Sequence, residues 1–471
     1  MKKFQIFVLI IVVFLFSSCL KHRNLYQEKR EVIEEPLYTY PFSSENQGVT
    51  VEMVIQTKAG INMEQVKVEI PPLKYNKSWL FILSQDDCKQ AAYCCTWAAL
   101  NGRPLSKKYY YDVRQYLNDD LPPDVYTLGK TLGSTDGAGN EVRFNFTTTL
   151  APEWDFMNAK TVVSSGFSQN YYRFFMKSGL VWDNVREMVN YGTGIAFHDV
   201  NTEAVNVADS VLVHYASAQD SILKYLSGRR SKVLAEPNGN KTYITAAQRY
   251  APIQIMTAQT QAEKLFPFQV KKDLRGVVLN RNFSEIAATK EFIESQLKLA
   301  KEEREAVCVG VHGTGTEWVE FFLWLNDQYG KDGDDSLWFT SLEEYYEYNY
   351  YRIHGIIKKV VVDEHTLKLI VTLPAEENFY YPSVTLNLEG MPESAILSVS
   401  ADDNVKGLSY ASYGQGTMFH IDCRKKLVEH ATHFVEQYEK FPTEINRRDA
   451  VYFTALLKNS PQKEALLKRI K

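Results

Sequence analysis

Residues 79–88 read WLFILSQDDC, in which five apolar residues and Ser84-Gln85 lead into two adjacent carboxylates, Asp86 and Asp87. An unbroken apolar run, without alternation, suits a strand buried on both faces, as in a parallel sheet. Three further runs end in a similar way. Residues 195–197 lead into His198-Asp199, residues 232–234 into Ala235-Glu236-Pro237-Asn238-Gly239, and residues 306–311 into His312-Gly313. In a parallel α/β domain the strands deliver their last residues to one common mouth, where sites form. Carboxylates, two histidines and a Pro-x-Gly turn at four strand ends therefore make one candidate constellation. Any one of them alone is weak evidence, because an adjacent Asp pair commonly caps a helix and a lone histidine commonly sits hydrogen-bonded in a core.

Working outward, amphipathic stretches alternate with these runs. Helices are expected from the Asp pair to 97 and at 185–191, 220–226, 243–249 and 289–304, with further strands at 142–146, 253–256 and 276–279. Strand–helix recurrence over 76–353 indicates a parallel α/β sheet or barrel, and residues 102–179, too long for one connection, hold insertions. On the N-terminal side, residues 42–75 form a short β segment, with alternating runs around Ala59-Gly60. On the C-terminal side, residues 354–424 carry the period-2 runs of a β-sandwich. Residues 425–471 read as a helical tail with Leu427, Ala431, Phe434 and Val435 on one face.

The chain's 471 residues exceed one typical core, so several domains are expected. A net charge of -4 argues against nucleic acid, whose phosphates need a basic surface. Tyr and Trp are abundant, which suits either sugar-facing grooves or core packing. At the N-terminus, Lys2 and Lys3 precede an apolar run and then Ser17-Ser18-Cys19. This is the layout of a signal peptide, residues 1–19. The cysteine after small residues resembles the bacterial lipobox, with Phe16 where Leu is usual. The resemblance implies lipidation at Cys19, a tether over 20–41, and a cell-envelope location with the membrane reached through the lipid. Five cysteines remain, an odd number that cannot pair completely within one chain.

Two adjacent carboxylates with a histidine can hold a divalent cation and leave one carboxylate free as a base, while a second histidine protonates a leaving group. That set hydrolyses amides or esters. The segment from Trp79 to about Tyr348 resembles the NodB-homology polysaccharide deacetylases of carbohydrate esterase family four. "LSQDDC" is similar to the family's Asp-Asp-Gly motif, which implies Asp86 as general base and Asp87 as metal ligand. "GIAFHDVNTE" resembles the second motif and implies His198 as metal ligand. "VLAEPNGNKTYITAA" resembles the third, implying that Pro237 and Gly239 form one wall of the groove. "VCVGVHGTG" resembles the last and implies His312 as general acid. The expected fold is then a distorted (β/α)7-type barrel, flanked by the short N-terminal β segment and the C-terminal β-sandwich. The expected cofactor is a divalent metal, zinc first, and the expected partner an acetylated glycan.

The sequence departs from this pattern at three places. The family's third ligand, a His four residues after the first, is replaced by Thr202, leaving Asp199, Asn201 or Glu203 as substitutes. Cys88 stands where the motif has Gly. The Arg that often holds the base falls near Ala235. Two other readings stay open: a non-catalytic glycan-binding or surface-assembly lipoprotein, and a cysteine hydrolase built on Cys95 with Gln90 as oxyanion donor.

Overall fold

The computed structural model describes residues 30–32, 37–45, 47–114, 121–159, 162–164, 179–199 and 205–470. The expected leader with Cys19 lies outside them. Among the described residues no helix is long and apolar enough to cross a membrane.

Among the strands that precede the α/β region are β1 (Val49–Thr57) and β2 (Lys67–Glu69). That region begins with β3 (Trp79–Gln85) and continues through β4 (Thr147–Leu150), β5 (Gly194–Phe197), β6 (Val233–Ala235), β7 (Ile255–Ala258), β8 (Val278–Asn280), β9 (Val307–Val311) and β10 (Leu337–Thr340). Their order is β8-β7-β6-β5-β4-β3-β9, with every pairing parallel. A parallel bridge between Asn282 and Val309 joins the two ends and closes the barrel. There Asn282 donates its N–H to Cys308, and Gly310 donates to Asn282. Strand β10 pairs with the first half of β3, at Trp79 to Ile82, while β4 pairs with its end, at Ser84 and Gln85. The extra strand is wedged into the base and distorts the barrel, as expected.

All seven residues of β3 are buried. Phe81 and Leu83 join the cluster under the outer helices; Leu80 and Ile82 join a second cluster with Leu342, Tyr345 and Tyr348 of the following helix and with the sandwich. A strand buried on both faces needs apolar residues at consecutive positions, which is why the run in 79–83 was legible.

The expected strand at 142–146 falls elsewhere. Glu141–Arg143 pairs antiparallel with Gly133–Thr135, and the barrel strand is Thr147–Leu150. Its sequence, Thr-Thr-Thr-Leu, carries little apolar signal. Its threonines are tolerated inside because hydroxyls find partners: Leu342 donates its N–H to Thr147 Oγ1, and Cys88 donates its N–H to Thr149 Oγ1.

The outer helices include α1 (Trp182–Asn190), α2 (Ala208–Tyr225), α3 (Lys241–Ala247), α4 (Ile286–Leu297), α5 (Thr316–Tyr329) and α6 (Leu342–His354). The sandwich strands follow: β11 (Ile356–Asp363), β12 (Thr366–Leu373), β13 (Ser383–Glu389), β14 (Ile396–Ala401), β15 (Gly407–Tyr413) and β16 (Gly416–Asp422). Both flanking β regions are present, but they are not separate units. Strand β1 lies between β12 and β14 in one sheet, and β2 lies beside β13 at the edge of the other. Each β segment alone exposes an apolar face; together they cover it.

The tail folds as α7 (Leu427–Lys440), α8 (Glu444–Ala455) and α9 (Pro461–Arg469). Thr443 and Ser460 cap the last two, and Pro461 sits in the first turn of α9. Leu427, Ala431, Phe434 and Val435 are buried, as their spacing predicts. Asp449 of α8 is buried and paired with Arg103 and Arg143 at 2.5 and 2.7 Å, which ties the tail to the barrel.

Candidate active site at the barrel mouth

Asp86 and Asp87 leave β3 in a sharp turn. Asp86 donates its N–H to Val311 of β9, so the turn is anchored on the neighbouring strand. Asp87 and Cys88 both have positive φ, 62° and 50°. Glycine adopts that backbone most easily. Cys88 therefore keeps the conformation its motif's Gly would supply, held by the bond from its N–H to Thr149. Two left-handed residues in succession turn Asp86 inward and Asp87 towards the opening: the side chain of Asp86 is 1% exposed and that of Asp87 34%.

His198 follows β5. Its Nδ1 lies 2.8 Å from the carbonyl oxygen of Ala235, which can only accept, so Nδ1 carries the hydrogen. Nε2 then faces the carboxylates, 3.4 Å from Asp87 Oδ1 and 3.9 Å from Asp86 Oδ2. Asp199 joins them: one ligand atom each from Asp87, His198 and Asp199 lies within 4.8 Å of the others. Asn201, Thr202 and Glu203 lie outside the described residues.

Asp86 is gripped by an arginine that the sequence reading did not find. Arg281, just after β8, donates from Nη1 to Asp86 Oδ1 at 2.7 Å and from Nη2 to the carbonyl of Glu236 at 2.9 Å. Residue 235, where the family pattern puts such an arginine, is Ala, and the guanidinium arrives from two strands further round the ring. Only the basic residue at the end of β8 could have signalled it. Asp86 caps no helix; the π-helical segment Ala92–Trp97 has no side-chain cap.

The charges are strongly coupled. Burial pushes the Asp86 carboxyl up, opposed by His198 and Arg281. The hydrogen bond from His198 holds Asp87 down to about 2, against the effect of its partial burial. Burial alone would lower His198, but the charge of Asp86 and the bond to Asp87 outweigh it and raise its proton affinity. A neutral ring would point the Nε2 lone pair at two carboxylates, so the gap calls for a positive species between them. A proton satisfies it, and so does a metal ion. Two carboxylates and an imidazole whose other nitrogen is fixed by a carbonyl are a donor set that zinc accepts.

The remaining expected residues lie at the same end of the barrel. Pro237 is buried, while Asn238 and Gly239 are exposed, at φ 51° and 70°. Asn238 lines a pocket of about 330 Å³ together with Asp87, His198, Asp199, Trp154 and Phe156. His312 follows β9 and is exposed; its charge, when protonated, acts on Asp86 and Asp87. Its ring stacks on Phe283 with centroids 4.9 Å apart. His214, by contrast, pairs with Glu153 at 2.6 Å.

All five described cysteines are free thiols. Burial pushes Cys95 up to about 11, so it is protonated at neutral pH, and a nucleophilic role for it has no support.

Among comparisons with known proteins, a model of the family described as "Putative polysaccharide deacetylase" matches residues 51–471, from β1 to the end of the tail. No curated protein matches the chain. The match spans barrel, sandwich and tail together, and the barrel carries the divergent NodB-like pattern at its mouth. The chain belongs to this polysaccharide deacetylase family.

Proposed function

We propose that the protein is a hydrolase that removes acetyl groups from a glycan by metal-assisted amide or ester hydrolysis. The observation that carries this is the convergence of Asp86, Asp87, His198 and Asp199 at one barrel mouth, with Arg281 behind Asp86. Asp87, His198 and Asp199 would hold the divalent metal, zinc first. Bound there, it would polarise the acyl carbonyl and lower the pKa of a bound water. Asp86 takes the proton of the attacking water. Arg281 fixes its Oδ1 and leaves Oδ2 for that task, and burial raises its basicity. His312 protonates the departing nitrogen or oxygen. Pro237 and Gly239 shape one side of the groove, and Trp154 and Phe156, which line the pocket with Asp87, His198 and Asp199, offer flat faces to a sugar ring.

Acetate release from an N-acetylglucosamine oligomer and from acetylated xylan tests this. Asp86→Ala and His312→Ala each abolish release while cooperative thermal unfolding persists; the midpoint of His312→Ala stays within a few degrees, whereas that of Asp86→Ala falls because Arg281 loses its buried partner. Release that survives Asp86→Ala sinks the assignment. A second reading is favoured by the carboxylate that stands in for the second histidine. In it the barrel binds glycan without cleaving it. Metal content separates the two: no tightly held divalent metal in the wild type, and glycan binding unchanged by Asp87→Ala, supports the second.

We also propose export and lipid anchoring through Cys19, supported by the Lys2-Lys3, apolar, Ser17-Ser18-Cys19 order. Cys19→Ser should move the protein from the membrane to the soluble fraction.

A further inference from the structure

The ring of His312 has no hydrogen-bond partner among the described residues, although it is the group proposed to protonate the leaving atom. A general acid without an orienting partner samples many rotamers, and little of that population is in line with the leaving group. One contact restrains it: the ring stacks on Phe283, with centroids 4.9 Å apart and planes inclined by 29°.

Phe283 is itself held from two other directions. The Arg281 guanidinium carbon lies 5.1 Å from the centre of its ring, and the same guanidinium donates to Asp86. Beneath it, β9 carries Gly310, two residues before His312. A Cβ built there would come within 2.6 Å of the Phe283 ring. The missing side chain at 310 is therefore the slot in which the phenyl group lies across the strand. One aromatic ring touches both the partner of the proposed base and the proposed acid.

We propose that Phe283 is a positioning residue that sets the orientation of His312 relative to Asp86, through the stack on one side and the Gly310 slot on another. The role rests on the hydrolase reading given above. In this role Phe283 acts through His312.

Four variants and two readouts test it. An aromatic ring displaces the ring-proton resonances of a stacked imidazole. The His312 resonances, identified by their loss in His312→Gln, move towards ordinary positions in Phe283→Leu and stay in place in Phe283→Tyr, which keeps the ring. With the acetylated oligomers, Phe283→Leu lowers kcat about 10- to 100-fold, with KM changed less than about 3-fold, and Phe283→Tyr recovers most of the rate. A merely structural role would not give that split or that recovery. Unmoved His312 resonances in Phe283→Leu overturn the proposal, as do moved resonances with an unchanged kcat. If wild-type protein releases no acetate while the resonances still move, it is the hydrolase reading that has failed: the stack stands as a contact and its catalytic role is withdrawn. Overpacking of the slot is probed by Gly310→Ala. It should displace the ring and lower kcat in the same way as Phe283→Leu.

Discussion

Asp86 and Arg281 are both buried to 1% exposure, so neither is neutral to remove. Taking away one member of a buried ion pair leaves the other charge desolvated, at a cost of about 3–5 kcal/mol. Arg281→Met should therefore lower the urea midpoint strongly, whereas Asp86→Leu together with Arg281→Met should recover part of that loss. A double variant whose loss equals the sum of the two single losses would show that the pair is not coupled. The Asp pair, His198 and His312 were legible because each follows an apolar run, and strand ends in an α/β domain share a mouth. Arg281 was not legible. It follows a three-residue strand and reads as an ordinary surface charge until the ring closes and brings β8 opposite β3. The third carboxylate was narrowed to Asp199, Asn201 or Glu203 by position alone. Of these, Asp199 lies among the described residues, with a carboxylate oxygen within 4.8 Å of the ligand atoms of Asp87 and His198, a placement that no spacing rule supplies.

At the scale of elements, the strand Thr147–Leu150 shows what periodicity misses. Its threonines are buried because neighbouring N–H groups satisfy them, a property of the partners and not of the strand. The tail shows the opposite case: its apolar face was readable, but its attachment depends on a charge. Asp449 of α8 sits between Arg103 and Arg143 and also accepts from Tyr191. Asp449→Ala should cost about 3 kcal/mol or more, by taking from two buried guanidinium groups a carboxylate that they share. Limited proteolysis should then cut within 425–471 first. Unchanged protease resistance would argue that apolar packing alone seats the tail.

For the whole molecule, acid is the condition to which the fold is least suited. His430 lies at the junction of α7 with the barrel; its Nε2 donates to the Asn190 carbonyl and its Nδ1 accepts from the Tyr38 hydroxyl. The ring is satisfied only when neutral. Burial pushes it, and His420 in the sandwich, down to about 3. The unfolded chain has ordinary imidazoles near 6.5, so it binds more protons than the native state between those values. The stability from the neutral rings is complete above about pH 6.5 and is lost as pH falls towards 3. The urea midpoint should thus be lower at pH 5 than at pH 7.5, and His430→Gln should flatten the difference. Equal midpoints at both pH values in the wild type would refute this.

The sandwich borrows its central strand from the start of the chain. Thr50 of β1 meets Thr372 of β12 across 322 residues. At about 5–20 residues per second, a ribosome needs roughly a quarter of a minute to a minute to make the intervening stretch. Throughout that interval β1 is an unpaired apolar ribbon that cannot find its neighbours, while the barrel between them can already assemble. Nascent chains halted before residue 366 should therefore be the ones that chaperones hold and that aggregate, even where the barrel has closed.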